Sequence, residues 1–317
     1  MPRIAVPDDF PSVLAGSRAE ARLRELGEVE IFTTKAGNPG ELLRRVQGAE
    51  AVVNIRAFSR FDADFFARAR DLRHLSIWGT GTDNVDLAAA RAAGVTVTNT
   101  PGVAAASVAE HAIALMLAVA RRIPLHDAAV RRGEWPRGGM TQLRGKTLGL
   151  VGLGAIGRET ARLAQGLGMK LLAWTFHPDP AFAAEAGLEW AERDALYARS
   201  DVISLHVRLS PETRGMIGEA AFARMKPGAI LVNTARGPVV EEKALLAALA
   251  SGRLAGAGLD VFEAEPLPAG HPLAALPQVV LSPHNAGITP EAAEAGLLLA
   301  AENVAAFFAG RPRNVVN

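Results

Sequence analysis

The chain has 317 residues, enough for two domains, and 49% of them are hydrophobic, ample for buried cores. Its formal net charge is +1 with no long basic block, which removes the electrostatic motive for nucleic-acid binding, and the absence of cysteine excludes disulfides and thiolate chemistry. The first residues reach Asp8 and Asp9 with no apolar h-region, so no signal peptide is read there, and the longest apolar run, 112–120, is too short to span a bilayer. The expectation is a soluble, cytoplasmic protein with neither membrane nor nucleic acid as partner.

Short β-rich runs alternate with helical patterns, the mark of parallel α/β sheets. In the first third, strands are predicted at 3–6, 51–54, 74–78 and 95–98. Helices are predicted between them at 19–26, 41–47, 62–70 and 86–93, with Asp86 as an N-cap and Gly94 as a stop. Residues 103–121 form a helix apolar almost all round, which must be buried in a domain or against a second subunit. Pro124, Gly133, Pro136, Gly138 and Gly139 then read as a loop-rich crossing. A second series starts at Lys146, with strands at 147–151, 170–174, 202–205, 230–233, 257–260 and 279–281. Helices are predicted at 156–167, 192–198 and 241–251. Six strands suit one dinucleotide-binding sheet. The last helix, 290–310, follows the sixth strand and is free to return to the first domain.

Gly152-Leu-Gly154-Ala155-Ile156-Gly157 follows an apolar strand and opens a helix, the context a dinucleotide fingerprint requires. The first glycine makes the tight turn, the second lets the backbone approach a pyrophosphate, and the third lets helix and strand pack closely. The next strand should end in an acid that reads the ribose 2′-hydroxyl. Thr175 stands there instead, with His177 two residues on and no arginine beside it in the sequence. NAD is the expected cofactor and NADP is not excluded. Three further segments follow in order: Arg236 in Asn233-Thr-Ala-Arg-Gly237, Glu265 in Leu259-Asp-Val-Phe-Glu-Ala-Glu-Pro266, and His284 in Ser282-Pro-His-Asn-Ala-Gly287. A guanidinium, a carboxylate and an imidazole can together serve the reduction of a 2-oxo acid, with the hydride coming from the nucleotide that the fingerprint suggests. The first holds the substrate carboxylate, the third supplies a proton, and the second keeps the third protonated. No metal is called for.

With Gly79-Thr-Gly-Thr-Asp-Asn-Val-Asp86, Asn99-Thr-Pro-Gly102, Ser107-Val-Ala-Glu-His111 and Leu143-Arg-Gly-Lys146, these segments resemble the D-isomer-specific 2-hydroxyacid dehydrogenases over nearly the whole chain. The resemblance implies an α/β protein of two domains with the chain crossing twice. Residues 1–98 would begin a flavodoxin-like substrate-binding domain, 99–286 would form a Rossmann domain, and 287–317 would return to the first. It implies a small 2-oxo or 2-hydroxy acid as substrate and a homodimer. It implies catalytic roles for Arg236, Glu265 and His284, with Glu263 a solvated neighbour. Cofactor contacts are expected at Gly152, Gly154, Ala155, Ile156, Gly157, Thr175, His206, Thr213, Thr234, Ala235 and Asp260. Arg56, Gly79, Thr80 and Gly81 are expected on the substrate, the last three as a nest of backbone amides. His111 reads as a core or interface residue, and Trp135 as either packing or a reach across a dimer interface. Closure between the domains is expected to exclude water. The alternatives are a corepressor-like NAD(H)-sensing protein and a formate or phosphite dehydrogenase of the same fold, the former of which would turn over slowly.

Overall fold

A computed structural model describes residues 1–55 and 58–317. The chain divides into two units, Met1–Ala104 with Ile288–Asn317, and Ala105–Gly287. Segment 99–104 belongs with the first unit because its backbone is tied there. The Asn99 N–H donates to the Asn314 carbonyl, the Thr100 N–H to the Gly79 carbonyl, and Asn303 Nδ2 to the Asn99 carbonyl.

In the first unit, β1 (Arg3–Val6), β2 (Glu28–Ile31), β3 (Ala51–Asn54), β4 (His74–Ile77) and β5 (Thr96–Thr98) form a parallel sheet of order β2-β1-β3-β4-β5. This is the flavodoxin-like order. Strands β3 and β4 are buried along their length, as a parallel sheet covered on both faces requires. The helix Pro290–Phe308 is capped by the Thr289 side chain and lies on β4. Its small residues permit that approach. A Cβ on Gly296 would stand 2.0 Å from Trp78 Nε1, and Ser76 Oγ donates to the Ala300 carbonyl. Asp86 caps the helix Leu87–Ala92 through the Ala89 N–H, and Gly94, at φ +73°, ends the turn behind it. Strand β2 was not expected; only one of its four residues, Val29, is buried, so its hydrophobic signal is weak.

In the second unit, β6 (Thr147–Val151), β7 (Lys170–Trp174), β8 (Glu189–Trp190), β9 (Val202–Leu205), β10 (Ala229–Asn233), β11 (Leu254–Leu259) and β12 (Val279–Leu281) are all parallel. Their order, β12-β11-β10-β9-β6-β7-β8, is the dinucleotide-binding arrangement extended by one strand. The strand that extends this order is β12, and the one the sequence did not mark is β8, two residues long and without a period to read. The helix Ala105–Arg121 sits on β10 and β11. A Cβ on Gly256 would stand 2.7 Å from Val119 Cγ1, and one on Gly258 would stand 2.8 Å from Leu115 Cβ, so β11 is a glycine seat for that helix. Part of the expected loop-rich crossing is instead the helix Ile123–Arg131. Pro124 falls in its first turn, where a missing N–H costs nothing. Residues 131–142 then run exposed, with Trp135 at 74%. Among the described residues no helix is long and apolar enough to cross a membrane.

His74 on β4 is fully buried, stacked on the Phe307 ring at 4.6 Å with Nε2 3.0 Å from Thr98 Oγ1. Burial pushes its imidazole down from 6.5 to about 3. Below pH 6.5 the unfolded chain binds a proton that the folded chain refuses, so stability falls as pH drops from 6.5 towards 3. Between pH 7 and 5 this group alone costs on the order of 2 kcal/mol. Denaturant titrations of His74→Gln should show a shallower loss of stability over that interval than the parent; equal slopes would refute the assignment.

Candidate active site

Each functional segment of the second unit leaves the carboxyl end of a parallel strand, where open α/β sheets bind ligands. The fingerprint follows β6 and the His206 segment follows β9, and the strand order reverses between these two neighbours. The three glycines divide the work. Gly152 has φ +98°, and a Cβ there would stand 2.6 Å from the His206 carbonyl oxygen. A Cβ on Gly157 would stand 2.4 Å from the Gly152 carbonyl oxygen, so the helix Ala155–Gly166 could not close on the turn. Gly154 is different. It is exposed, its φ is an ordinary −75°, and a Cβ on it would meet nothing within 4 Å. The fold needs the first and third glycines, whereas the second leaves room at a helix N-terminus for an anion. Ala155 and Ile156 are the first residues of that helix.

Two buried polar atoms near these strand ends are also unsatisfied by the protein. Among the described residues Thr234 Oγ1 and His206 Nδ1 have no partner, although His206 Nε2 lies 2.9 Å from Ser204 Oγ. Burial pushes the His206 imidazole down to about 4, so it is neutral at pH 7. An open glycine, a helix N-terminus and orphaned polar atoms at the sheet's switch point fit a dinucleotide. Thr213, by contrast, spends its hydroxyl inside its own loop, accepting from the Ser210 N–H and donating to the Arg208 carbonyl. Thr175, half-buried, is the residue after β7.

Arg236 stands three residues beyond β10. Buried Asn233 shapes its loop, accepting from the Ala235 N–H at Oδ1 and donating from Nδ2 to the Arg236 carbonyl. Gly237 presses on the β11 loop, since a Cβ there would lie 1.9 Å from the Phe262 carbonyl oxygen. Half-buried Arg236 donates from Nη1 to the Ala235 carbonyl. Glu265 Oε1 accepts from the Phe262 N–H at 2.9 Å, and Oε2 lies 2.7 Å from His284 Nδ1. Burial pushes the Glu265 carboxyl up, but its hydrogen bonds to His284 and Phe262 and the charges of His284 and Arg236 outweigh this and hold it below the usual range. Glu263 is exposed and has no such partner among the described residues.

His284 has φ +51°, a backbone region that non-glycine residues rarely occupy. Asp260, one residue beyond β11 and 1% exposed, holds it there. Asp260 Oδ1 accepts from Ser282 Oγ at 2.6 Å and the Asn285 N–H at 3.1 Å, and Oδ2 accepts from the Ala286 N–H at 3.0 Å. The sequence places Asp260 against the cofactor; in the structure its carboxylate pins the histidine loop. His111 adds a contact from the helix Ala105–Arg121, with Nε2 2.7 Å from Ser282 Oγ and 3.5 Å from Asp260 Oδ1. Ser282 escapes a residue-by-residue reading because its partners, Asp260 and His111, are side chains distant in sequence, and Asn233 because its role is to shape its own loop through the Ala235 N–H and the Arg236 carbonyl.

In the first unit, Gly79, Thr80 and Gly81 follow β4 by one residue. The Gly79 N–H donates to Thr100 Oγ1 at 2.7 Å, so only the Thr80 and Gly81 amides of the expected nest are left to a ligand. Arg56 lies outside the described residues. Among the described residues no cluster of side chains could hold a metal ion.

Such a site defines a dinucleotide-dependent dehydrogenase. Residues 113–286 match the family model described as D-isomer specific 2-hydroxyacid dehydrogenase, NAD binding domain. Over its full length the chain is 40% identical to a glyoxylate reductase of Korarchaeum cryptofilum, covering 96% of that protein. It is 42% identical, over 92% of its length, to a D-3-phosphoglycerate dehydrogenase of Archaeoglobus fulgidus, but spans 55% of that longer protein. The crystal structure of a glyoxylate reductase from Paecilomyes thermophila superposes with a TM-score of 0.89 at 31% identity, covering 100% of this chain and 99% of that one. The chain belongs to the D-isomer-specific 2-hydroxyacid dehydrogenase family, NAD-dependent oxidoreductases acting on a CH–OH group.

The glycine geometry separates binding from folding. Gly154→Ala should retain the parent's melting temperature while weakening dinucleotide affinity by about tenfold or more. Gly152→Ala should cost about 1–3 kcal/mol of stability, since its φ suits glycine and its Cβ meets backbone. Calorimetric melting and fluorescence titration with NADH check both, and undiminished affinity in Gly154→Ala would show that nothing approaches that glycine.

Proposed function

We propose that the protein reduces a small 2-oxo acid to the D-2-hydroxy acid, with His284 as proton donor, Glu265 as its support and Arg236 as the carboxylate clamp. The observation that carries this reading is the 2.7 Å contact between His284 Nδ1 and Glu265 Oε2. A carboxylate at Nδ1 fixes the proton on that nitrogen and turns Nε2 outward as the acid. Arg236, close enough to lower the Glu265 carboxyl, offers a planar fork to a substrate carboxylate.

The nicotinamide, when bound, supplies a hydride to the 2-carbon. Nε2 of His284 gives its proton to the oxo oxygen as the C=O π bond is lost, so no bare alkoxide needs a counter-charge. The imidazole left behind is neutral, still donating from Nδ1 to Glu265. In oxidation the same nitrogen takes the proton from the hydroxyl. Asp260 contributes by fixing the backbone on which this nitrogen stands. The relatives named as glyoxylate reductases direct the substrate choice towards glyoxylate, and hydroxypyruvate is a small oxo acid close to it in size. The fingerprint calls for a nicotinamide dinucleotide, NAD(P), as the cofactor.

Assayed with NADH against glyoxylate, hydroxypyruvate, bulkier oxo acids and 3-phosphohydroxypyruvate, the protein should favour one of the first two. His284→Ala should lose roughly 10²–10⁴-fold in turnover yet still bind NADH. Arg236→Lys should lose at least about tenfold in kcat/KM, because a point charge does not replace the fork. Near-parent turnover in His284→Ala at neutral pH would remove the histidine from the reaction.

The same reading includes a homodimer. Ile123, Val130, Trp135 and Met140 are large, exposed hydrophobic side chains on one stretch of chain, the surface a second copy would cover. Light scattering at micromolar concentration should give twice 33.3 kDa, and Trp135→Ala should shift the balance towards monomer. A parent protein that scatters as a monomer would overturn this part.

A further inference from the structure

The adenosine end of the site carries charges that the sequence leaves apart. Dinucleotide sites of this fold read the ribose beyond the second strand, where an acid binds the 2′-hydroxyl and an arginine accommodates a 2′-phosphate. Here the second strand is β7, and the next residue, Thr175, is neutral. The first acid beyond it is Asp179, and both its oxygens are taken. Oδ1 accepts from the Ala181 and Phe182 N–H groups, capping the helix Pro180–Glu185, and Oδ2 accepts from Arg158 Nη2 at 2.8 Å. Asp179 is therefore not a free carboxylate that would repel a phosphate.

Two guanidinia do come to this strand end, from opposite faces of the sheet. Arg158, one residue past the third glycine, reaches from the fingerprint to the turn beyond β7. Its Nε lies 3.4 Å from the Leu153 carbonyl oxygen, its Nη2 is on Asp179, and its carbon lies over the Phe182 ring at 4.6 Å. Its Nη1 has no partner among the described residues. Arg193, the first residue of the helix Arg193–Arg199, lies over the Trp174 ring at 5.4 Å, and Trp174 ends β7. Arg193 is exposed, with no carboxylate partner among the described residues.

We propose that this strand end accepts a 2′-phosphate, with Arg158 and Arg193 as its cations and Thr175 as a neutral floor, so that NADPH binds at least as tightly as NADH. Resting on the dinucleotide reading above, the inference adds a selectivity and the residues that set it. Arg158 is the principal reader, since it already holds one anion and keeps a second edge of its fork open. Asp179 is the internal competitor for that fork. A structural role for Arg158, tying two helices through Asp179, would affect both dinucleotides alike, which separates the alternatives.

The test is equilibrium binding on the full chain without oxo acid, by NADH and NADPH fluorescence and by calorimetry with adenosine 2′,5′-bisphosphate and 5′-AMP. The parent should bind NADPH no more weakly than NADH, and the bisphosphate at least about tenfold more tightly than 5′-AMP. Arg158→Gln should weaken NADPH about tenfold more than it weakens NADH, and Arg193→Gln, at an exposed position, should shift the ratio the same way by less. Asp179→Asn, which keeps the capping oxygen, should move the ratio towards NADPH. A parent that binds NADH more tightly than NADPH, or an Arg158→Gln that weakens both equally, overturns the proposal. Failure of both dinucleotides to bind would overturn the dinucleotide reading itself, and this inference with it.

Discussion

The carboxylate of Asp260 is the constraint on which the geometry around His284 depends. It is almost wholly buried, and the cost of burying a charge is met by a hydroxyl and two backbone amides. Those donors all come from the loop after β12, while Asp260 itself follows β11 and donates its own N–H to the Asn233 carbonyl at the end of β10. One residue, through its side chain and its backbone N–H, thus ties three adjacent strand ends together. A left-handed histidine costs on the order of 1–3 kcal/mol and persists only where its surroundings over-determine it. Here the two residues after it are both held by Asp260, and its ring is held by Glu265.

The sheet beneath makes such ties possible. Parallel strands bring every carboxyl end to one edge, so residues far apart in sequence arrive as neighbours. The glycines then set how near the loops come. Gly237 lets the Arg236 loop lie on the Phe262 backbone, and Gly152 lets the first turn lie on the His206 carbonyl. Gly256 and Gly258 let the helix bearing His111 settle on β11, which carries that imidazole to Ser282. Close backbone approach, rather than additional side chains, is how this unit gathers its polar groups.

Much of this was legible from residues whose meaning is local. The fingerprint lies between an apolar strand and a helix, and the Arg236, Glu265 and His284 segments each follow a readable strand, so their common edge could be inferred from order alone. What escaped was set by distance or brevity. Asp260 meets its partners 22 to 26 residues on, with nothing in its own neighbourhood to distinguish it from a cofactor contact. Arg158 and Asp179 are 21 residues apart and meet only because one strand intervenes between their loops. Strand β8 is two residues long, and the helix Ile123–Arg131 was hidden by a proline that its first turn tolerates.

Two carboxylates five residues apart illustrate how surroundings divide one chemistry into two tasks. Asp260 has only short neutral donors against its oxygens, apart from a His111 nitrogen at 3.5 Å, and is sealed from water. Both its oxygens are committed to holding the loop after β12. Glu265 keeps about a third of its side chain exposed and faces an imidazole and a guanidinium. Its longer side chain reaches across from the β11 loop to a ring on the β12 loop while its other oxygen stays anchored to the Phe262 N–H. One oxygen for the scaffold and one for the ring lets Glu265 respond to the charge on His284 without losing its place. The buried acid, with both oxygens committed, supplies the fixed frame against which that response occurs.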